Sequence, residues 1–377
     1  MARNSEFYPG RKEKGNIAVI VVGVVLALFA VALILFYGMQ QYAVISKEDV
    51  YLKVGDLSTA SDAAAELSED VKEFSQVDCE IVYDAPDYSD IEATAGDGLD
   101  GVRAIFVPYG DFNTDKLNEY VGRLQAGNAL VLEMKPRDGY LMWNSEAPLA
   151  ATYGLAEPGY ILPELPDLIA QYKEKDIYMV AQVSCLLDGI LAARCSSVQI
   201  RTELGFDYHD DNGYWLCPYS MVVREYLVQL INELYAMGFD EVVLADVMHP
   251  VLEDESQKLI YTRTMASSQN PLFGISAFVK YITDNIAGHE GRLSIYCNSS
   301  NALVNGKDSS NGQDVGLFFK MFDRVYYFTD MYAYQYVVDY AKPYIKKGTV
   351  KDRFVPVVYN YLPDNTSWVL VDYEEKD

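Results

Sequence analysis

Polar side chains that could take part in catalysis lie at the ends of short apolar segments of the chain. They occur as pairs of residues two positions apart, namely Glu133 with Lys135, Gln182 with Ser184, and Tyr296 with Asn298. Alternate residues of a β-strand point to the same face, so each pair is expected to share one face of its strand. Such a polar face serves either catalysis or salt bridges inside the fold, and the spacing alone leaves both interpretations open.

The elements that must position these pairs follow one repeating pattern. Short apolar runs predict strands at 102–108, 129–135, 176–184, 241–247, 292–297, 324–329 and 353–359. Amphipathic stretches predict helices from near Asn113 to Gly127 and over 162–173, 221–237, 275–287, 315–322 and 332–345. Strands that alternate with helices imply a parallel sheet covered by helices, which is an α/β fold.

The length of this repeating region favours one architecture within the α/β class. From Val102 to the C-terminus, about 270 residues suit a (β/α)8 TIM barrel, and no GxGxxG or GxxxxGK motif opens a helix as in many open sheets. An eighth strand is predicted at 368–373, but only residues 360–367 separate it from the seventh. This connection leaves no room for a helix and predicts a hairpin, so the barrel is expected to close irregularly or to stay partly open.

Two connections in the predicted barrel are much longer than the others, residues 185–219 and 248–274. Both follow strands, so both are expected at the C-terminal face, where barrel enzymes carry their active sites. Aromatic residues also fall at or near strand ends and loops, among them Trp215, Tyr219 and Tyr359. Packing is the alternative explanation for most of these aromatic residues.

The N-terminal residues predict a membrane anchor. Residues 17–37 are an uninterrupted apolar run, extended by Gly38 and Met39, and they are long enough to cross a bilayer. The preceding segment is net positive, so it is expected to stay in the cytoplasm while the rest is exported. The predicted division is a cytoplasmic tail (1–16), a transmembrane signal-anchor (17–39), an acidic stalk or small cap (40–100) and the barrel (101–377). A cleaved signal peptide is the alternative.

Charge and cysteine spacing argue against nucleic-acid binding and against metal sites. The chain has 30 Lys and Arg against 55 Asp and Glu, a net charge of −25, so it has no basic surplus to bind nucleic acid. Residues 47–100 alone carry a local net charge of −13, as expected for a solvated stalk. Five cysteines leave at least one unpaired in a monomer, and no zinc-type or calcium-type spacing occurs. We therefore expect no metal and no cofactor.

Four segments resemble a known family. They read VLEMKPRDGYLMWNSE, DIYMVAQVSCLLD, YWLCPYS and GFDEVVLADVMHP, in this order. In this order and spacing they resemble the glycoside hydrolases with an α-amylase-like TIM barrel that are found in bacterial exported proteins. The resemblance covers roughly residues 102–250 well and the remainder loosely. It implies a barrel enzyme with a catalytic carboxylate at the end of the fourth strand.

The chain departs from the family pattern at that strand. The family normally has Gln-Phe-Asp-Tyr-(Ile/Val)-Arg-Phe-Pro there, and its Asp falls on Ala245 in this sequence. Asp246 comes one residue later, where a regular strand points to the opposite face. Only a bulge or the end of the strand could turn it back. The family's Arg at the end of the third strand is replaced by Gln182, whereas Lys135 and Asp188 match.

The resemblance implies glycoside hydrolysis, which usually needs two carboxyl groups beside the sugar. Asp246 is the first candidate, and Glu133 or Asp330 is the second. The candidate substrate-binding residues are Lys135, Gln182, Asp188, Trp215, Tyr219, His249, Asn298 and Tyr359.

The leading hypothesis is a membrane-anchored, extracytoplasmic, glycoside hydrolase-like protein that acts on cell-wall or exopolysaccharide glycan. Two alternatives stay open. One is a catalytically inactive glycan-binding or wall-organising barrel that uses the same cleft. The other is a membrane-tethered scaffold that binds another protein through the acidic stalk.

Overall fold

The computed structural model describes residues 91, 98–156, 158–252, 259–261, 270–286, 291–363 and 366–371, together with the backbone of two short strands. The chain divides into two compact units, residues 1–81 and 82–377. In the first unit, Ala43–Ile45 and Val50–Leu52 pair as antiparallel strands. The predicted tail, the predicted transmembrane segment and most of the predicted stalk lie outside the described residues. Among the described residues, no helix is long and apolar enough to cross a bilayer.

Eight parallel strands of the second unit form a closed barrel. In chain order they are β1 (Arg103–Val107), β2 (Ala129–Lys135), β3 (Tyr178–Ser184), β4 (Glu241–Ala245), β5 (Arg292–Cys297), β6 (Val325–Phe328), β7 (Phe354–Val358) and β8 (Trp368–Val371). Each strand pairs with its sequence neighbours, and β8 pairs with β1 to complete the circle. The predicted (β/α)8 barrel is therefore confirmed.

The closure between β7 and β8 differs from the prediction. The two strands are parallel, with Val357 opposite Val369 and Val358 opposite Leu370, so the predicted hairpin and irregular closure are wrong. The physical reason is the reach of the chain. Nine residues connect Val358 to Trp368, and an extended chain advances about 3.3 Å per residue, which is enough to return along a short strand without a helix. The described residues of this connection contain no helix.

Helices cover the outside of the barrel. They are α1 (Thr114–Gly122), α2 (Pro148–Tyr153), α3 (Leu165–Glu174), α4 (Gly189–Arg194), α5 (Met221–Met237), α6 (Pro271–Asn285), α7 (Ser300–Asn305), α8 (Val315–Met321), α9 (Tyr334–Ala341) and α10 (Val350–Arg353). The Asn113 side chain caps α1 by accepting a hydrogen bond from the Lys116 backbone N–H at 3.0 Å. Helix α5 has the predicted bounds and ends at Gly238, whose φ of 109° glycine adopts without strain.

The inside of the barrel is apolar near its middle and polar near the N-terminal ends of the strands. Its inward side chains include Val131, Val180 and Val243. At the N-terminal ends, buried Glu241 forms an ion pair with Arg324 and accepts a hydrogen bond from the Tyr326 hydroxyl at 2.9 Å. Burying these charges is tolerated because each is paired and hydrogen-bonded. This polar layer is the floor beneath the C-terminal mouth.

The two long connections predicted at the C-terminal face pair with each other. Ile200–Thr202, from the connection after β3, forms an antiparallel pair with Leu259–Tyr261, from the connection after β4. A second short pair, His209–Asp210 with Gly213–Tyr214, lies within the first connection. Both connections begin at the C-terminal ends of their strands, as predicted.

Candidate active site

A cleft of about 430 Å³ opens among the C-terminal ends of the barrel strands. Its polar lining consists of Glu133, Arg137, Gln182, Ser184, Asp246 and Asn298. Its walls include the rings of Phe106, Tyr296, Tyr326 and Phe328. The cleft thus joins several of the polar residues that the sequence places at strand ends, and it occupies the face where barrel enzymes bind substrates.

Asp246 enters this cleft because of its backbone conformation. Strand β4 ends at Ala245, whose side chain lines the cleft, so a regular strand would turn Asp246 outward. Asp246 instead has a φ of 54°, in the left-handed region that aspartate adopts more readily than most residues. Its side chain is buried and lines the cleft. The end of the strand therefore turns the carboxylate toward the site, as a role there requires.

Arg137 and Ser184 hold the Asp246 carboxylate. Arg137 donates two hydrogen bonds, from Nε to Oδ2 at 3.1 Å and from Nη2 to Oδ1 at 2.7 Å. The Ser184 hydroxyl donates a third, to Oδ2 at 2.8 Å. Desolvation lowers the pKa of Arg137, but its hydrogen bonds to Asp246 and the charge of Asp246 outweigh this effect, so its pKa is raised. Two-point contact between a guanidinium and a carboxylate fixes the orientation of both groups.

Glu133 is the second carboxyl group of the cleft. Its Oε2 atom accepts a hydrogen bond from the Tyr109 backbone N–H at 3.0 Å. Burial raises the pKa of Glu133, the Tyr109 N–H opposes this rise, and the negative charge of Asp246 adds to it. Glu133 therefore retains a proton to a higher pH than an exposed glutamate does.

Lys135 does not share a face with Glu133, so that prediction is wrong. The register between β2 and β3 shifts at this point, with Glu133 opposite Gln182 but Lys135 opposite Val183. An irregularity of this kind breaks the alternation of side chains. Lys135 is fully buried, and its Nζ atom lies 2.9 Å from Asp188 Oδ2 and donates to the Ser184 carbonyl at 2.8 Å.

Asp188 is buried with Lys135 and has structural contacts of its own. Its Oδ1 atom accepts a hydrogen bond from the Leu191 backbone N–H at 2.7 Å and thereby caps α4. Gly139 packs against it so closely that a Cβ atom there would lie 2.0 Å from Oδ1. The Lys135–Asp188 pair therefore ties the loops after β2 and β3 together, and neither residue is among those that line the cleft.

Other predicted binding residues divide between the cleft and the core. Gln182 and Asn298 line the cleft, as the alternation predicts. Gln313 fixes Asn298, because its Oε1 atom accepts the Asn298 backbone N–H at 2.9 Å. Tyr359 is half exposed beside the cleft, and its ring packs edge-on against the ring of Phe328 with centroids 5.1 Å apart.

Trp215, Tyr219 and His249 are not among the residues that line the cleft. Trp215 and His249 are each 1% exposed, and the Tyr219 ring packs against His249 with centroids 5.6 Å apart. Burial lowers the pKa of His249 to about 3, so the imidazole is neutral at physiological pH. The long connections fold over these side chains and bury them, which their positions in predicted loops did not indicate.

Asp330 does not join the other carboxyl groups at the rim. It is exposed, and its Oδ1 atom accepts hydrogen bonds from the backbone N–H groups of Tyr332 at 2.7 Å and Ala333 at 2.8 Å. The carboxylate is thus used in the turn that leads into α9. Its predicted place beside Asp246 is wrong, because β6 ends at Phe328 and the chain turns away before Asp330.

Arg137 is the polar cleft residue that the sequence patterns missed. It follows β2 by two residues, beyond the region where strand alternation applies.

The described part of the chain contains no group of three or more side chains arranged to hold a metal ion. Its four cysteines, Cys185, Cys195, Cys217 and Cys297, are buried and free.

Residues 104–368 match the model of a family described as "Putative glycosyl hydrolase domain", and the chain belongs to this family. The family and the closed barrel together define a glycoside hydrolase-like TIM-barrel protein. No curated protein matches the sequence significantly.

Several solved structures are similar to this chain at low sequence identity. The glycoside hydrolase domain of PgaB (BpsB) from Bordetella bronchiseptica is 11% identical over 68% of this chain and 83% of that chain, with a TM-score of 0.47. A β-N-acetylhexosaminidase from Bacteroides fragilis is 8% identical over 70% of this chain and 51% of that chain, with a TM-score of 0.47. A hypothetical protein from Ruminiclostridium thermocellum is 20% identical over 51% of this chain and 96% of that chain, with a TM-score of 0.43.

The ion pair between Arg137 and Asp246 predicts a measurable coupling. Arg137→Ala leaves the Asp246 carboxylate buried without its main partner, so we expect the free energy of unfolding to fall by about 1–3 kcal/mol. In an Asp246→Asn background the same substitution should cost much less, because no charge remains to be paired. Denaturant unfolding of the four proteins in this double-mutant cycle measures the coupling. Equal costs of Arg137→Ala in both backgrounds would show that the pair contributes nothing to stability.

The raised pKa of Glu133 predicts a pH-dependent stability difference. Between the usual pKa of a glutamate and the raised pKa in the fold, the native state binds more protons than the unfolded state, so stability is lost as pH rises through this window. Glu133→Gln removes this loss. The Tm of the variant minus that of the wild type should therefore increase from about pH 4 to about pH 8. Taking the difference in Tm cancels the contributions of other titrating groups. A Tm difference that does not change with pH would contradict the raised pKa of Glu133.

Proposed function

We propose that the protein is a glycoside hydrolase in which Glu133 is the proton donor and Asp246 is the carboxylate that stabilises positive charge at the sugar. The observation that supports this assignment is that both carboxyl groups line one cleft in different environments. Glu133 has a raised pKa and one backbone hydrogen bond, whereas Asp246 is held by the Arg137 guanidinium and the Ser184 hydroxyl. Two carboxyl groups with separate roles are what glycoside hydrolysis requires.

The chemistry assigned to each group follows from its surroundings. A glutamic acid with a raised pKa can protonate the glycosidic oxygen as the bond to the leaving group breaks. The negative charge of Asp246 faces the same cleft, where it can oppose the positive charge that develops on the sugar ring. Gln182 and Asn298 supply amide groups that suit hydrogen bonds to sugar hydroxyls.

The proposed substrate is a cell-wall or exopolysaccharide glycan outside the cytoplasm. This part of the proposal is supported by the sequence of residues 17–37, an apolar run that follows a net positive segment. In this arrangement one N-terminal helix anchors the protein in the cell membrane, and the barrel faces the cell envelope.

A departure from the resembled family's pattern at the fourth strand favours a second candidate function, in which the barrel binds glycan without cleaving it. Ala245 occupies the inward position where the resembled family has its aspartate, and both oxygens of Asp246 are engaged by Arg137. If Arg137 stays in place when the sugar is bound, the charge of Asp246 remains neutralised. The cleft would then serve recognition alone.

Activity measurements on paired variants test the proposed roles. Glu133→Gln should lower kcat on a natural glycan by about a hundredfold or more, because the leaving group loses its proton donor. Aryl glycosides with acidic leaving groups need no protonation, so they should restore turnover by Glu133→Gln but not by Asp246→Asn. Asp330→Asn, a matched carboxyl-to-amide change outside the cleft, should retain wild-type turnover. Binding of glycan without any release by the wild type would favour the binding protein.

The proposed location is tested on intact cells. External protease should digest the barrel while the protein fractionates with membranes, because the N-terminal run stays in the bilayer. Recovery of the folded barrel from the cytoplasm after cell breakage, protected from external protease, would contradict the proposed topology.

A further inference from the structure

Exposed aromatic side chains concentrate in one sector of the barrel. Three of them are mostly exposed to solvent, since Tyr332 is 84%, Tyr336 68% and Tyr361 60% exposed. Tyr340, Tyr359 and Phe328 are each exposed by between 44% and 49%. All six lie in β6, in α9 with the turn before it, or in the loop after β7. Large aromatic side chains grouped on a surface in this way mark a binding face.

Three of these rings form a line. Tyr332, Tyr336 and Tyr340 are spaced by four residues along α9 and the turn that leads into it, so they follow one face of the helix. At 1.5 Å per residue, the line is about 12 Å long. We call Tyr332, Tyr336 and Tyr340 the tyrosine stripe.

The tyrosine stripe begins next to the cleft. Phe328 lines the cleft and lies four residues before Tyr332 in the chain. Its ring also packs edge-on against Tyr359, with centroids 5.1 Å apart. An aromatic pair, Phe328 with Tyr359, therefore lies at the cleft, and the stripe begins four residues after Phe328 in the chain.

The barrel's own architecture explains why this face is open. Helix α9 lies on the outside of the barrel, so the face that does not pack on the barrel points to solvent. The inner face of α9 is covered, because Tyr334 packs against a buried cluster that includes Val358 and Trp368. The stripe residues point away from that face and stay exposed.

We propose that the tyrosine stripe binds the glycan chain where it leaves the cleft, so that the protein selects long polysaccharides over short oligosaccharides. This inference rests on the proposed function and names its substrate class. A tyrosine has an apolar ring and a polar hydroxyl. A sugar likewise has apolar C–H faces and polar edges, so a ring can pack against the face while the hydroxyl bonds to the edge.

The shape of the surface favours a glycan over a folded protein. A protein interface has a compact centre whose rings fill pockets and lose contact with water. The stripe is a single line of separate rings, flanked by the exposed polar side chains Gln335 and Asp339. A line of rings that begins four residues after the cleft residue Phe328 suits a linear polymer, and several weak contacts along one chain add to the affinity of the cleft.

The test compares two triple variants of the full chain. Tyr332→Ala/Tyr336→Ala/Tyr340→Ala removes the rings, and alanine favours the helix, so folding should be retained. Tyr332→Phe/Tyr336→Phe/Tyr340→Phe is the matched control, which keeps the rings and removes only the hydroxyls. Affinity is measured for trisaccharides and long polymers of the same repeat, taken from β-glucan, chitin-type and peptidoglycan chains.

We expect the wild type to bind polymer more tightly than trisaccharide. The alanine variant should lose about tenfold or more of this preference, and the phenylalanine variant should keep most of it. If the alanine variant keeps the wild-type preference, the stripe does not bind the glycan, and the proposed function is unaffected. If both variants lose the preference equally, the ring faces are not what binds the glycan. A wild type that binds no saccharide of either length overturns the proposed function and this inference together.

Sedimentation provides another check. A wild-type dimer that the alanine changes convert to a monomer would identify the stripe as a self-association surface instead.

Discussion

The parallel pairing of β7 with β8 is the contact on which the rest of the molecule depends. Without it the sheet would have two open edges, and no inward face would be enclosed. Two opposed residue pairs carry this ladder, Val357 with Val369 and Val358 with Leu370. Once this pairing closes the barrel, the inward side chains of the strands have fixed places, either in the polar floor around Glu241 or in the cleft above it.

Two irregular strand ends then decide which charges reach the cleft. In β2 the register shift after Glu133 sends Lys135 into a buried pair with Asp188. In β4 the left-handed backbone at Asp246 brings a carboxylate inward. Regular strands would have placed Lys135 in the cleft and left Asp246 outside it. The cationic partner is instead Arg137, which comes from the loop, where a side chain is free to approach Asp246 from the open side.

The alternation of side chains along a strand predicted which residues line the cleft only where the strands are regular. Gln182 and Glu133 lie on regular stretches of strand and Asn298 directly follows β5, and all three line the cleft. Lys135 and Asp246 lie at irregularities that depend on tertiary contacts, which a period of two residues cannot show. Trp215 and His249 were predicted from loop positions, but the pairing of the two long connections buries them. That pairing joins residues about 60 positions apart, and no local pattern encodes it.

The asymmetry of the Arg137–Asp246 pair bears directly on the choice between hydrolysis and binding. The Asp246 side chain is 4% exposed and the Arg137 side chain 49% exposed. The guanidinium can therefore move further into water and regain hydration, while the carboxylate then needs another partner in the cleft that it lines. A sugar with developing positive charge is such a partner, and an uncharged sugar at rest is a weaker one. Under the proposed function, exchange of Arg137 for the substrate is therefore favoured most strongly when charge develops, which is the condition for catalysis rather than for simple binding.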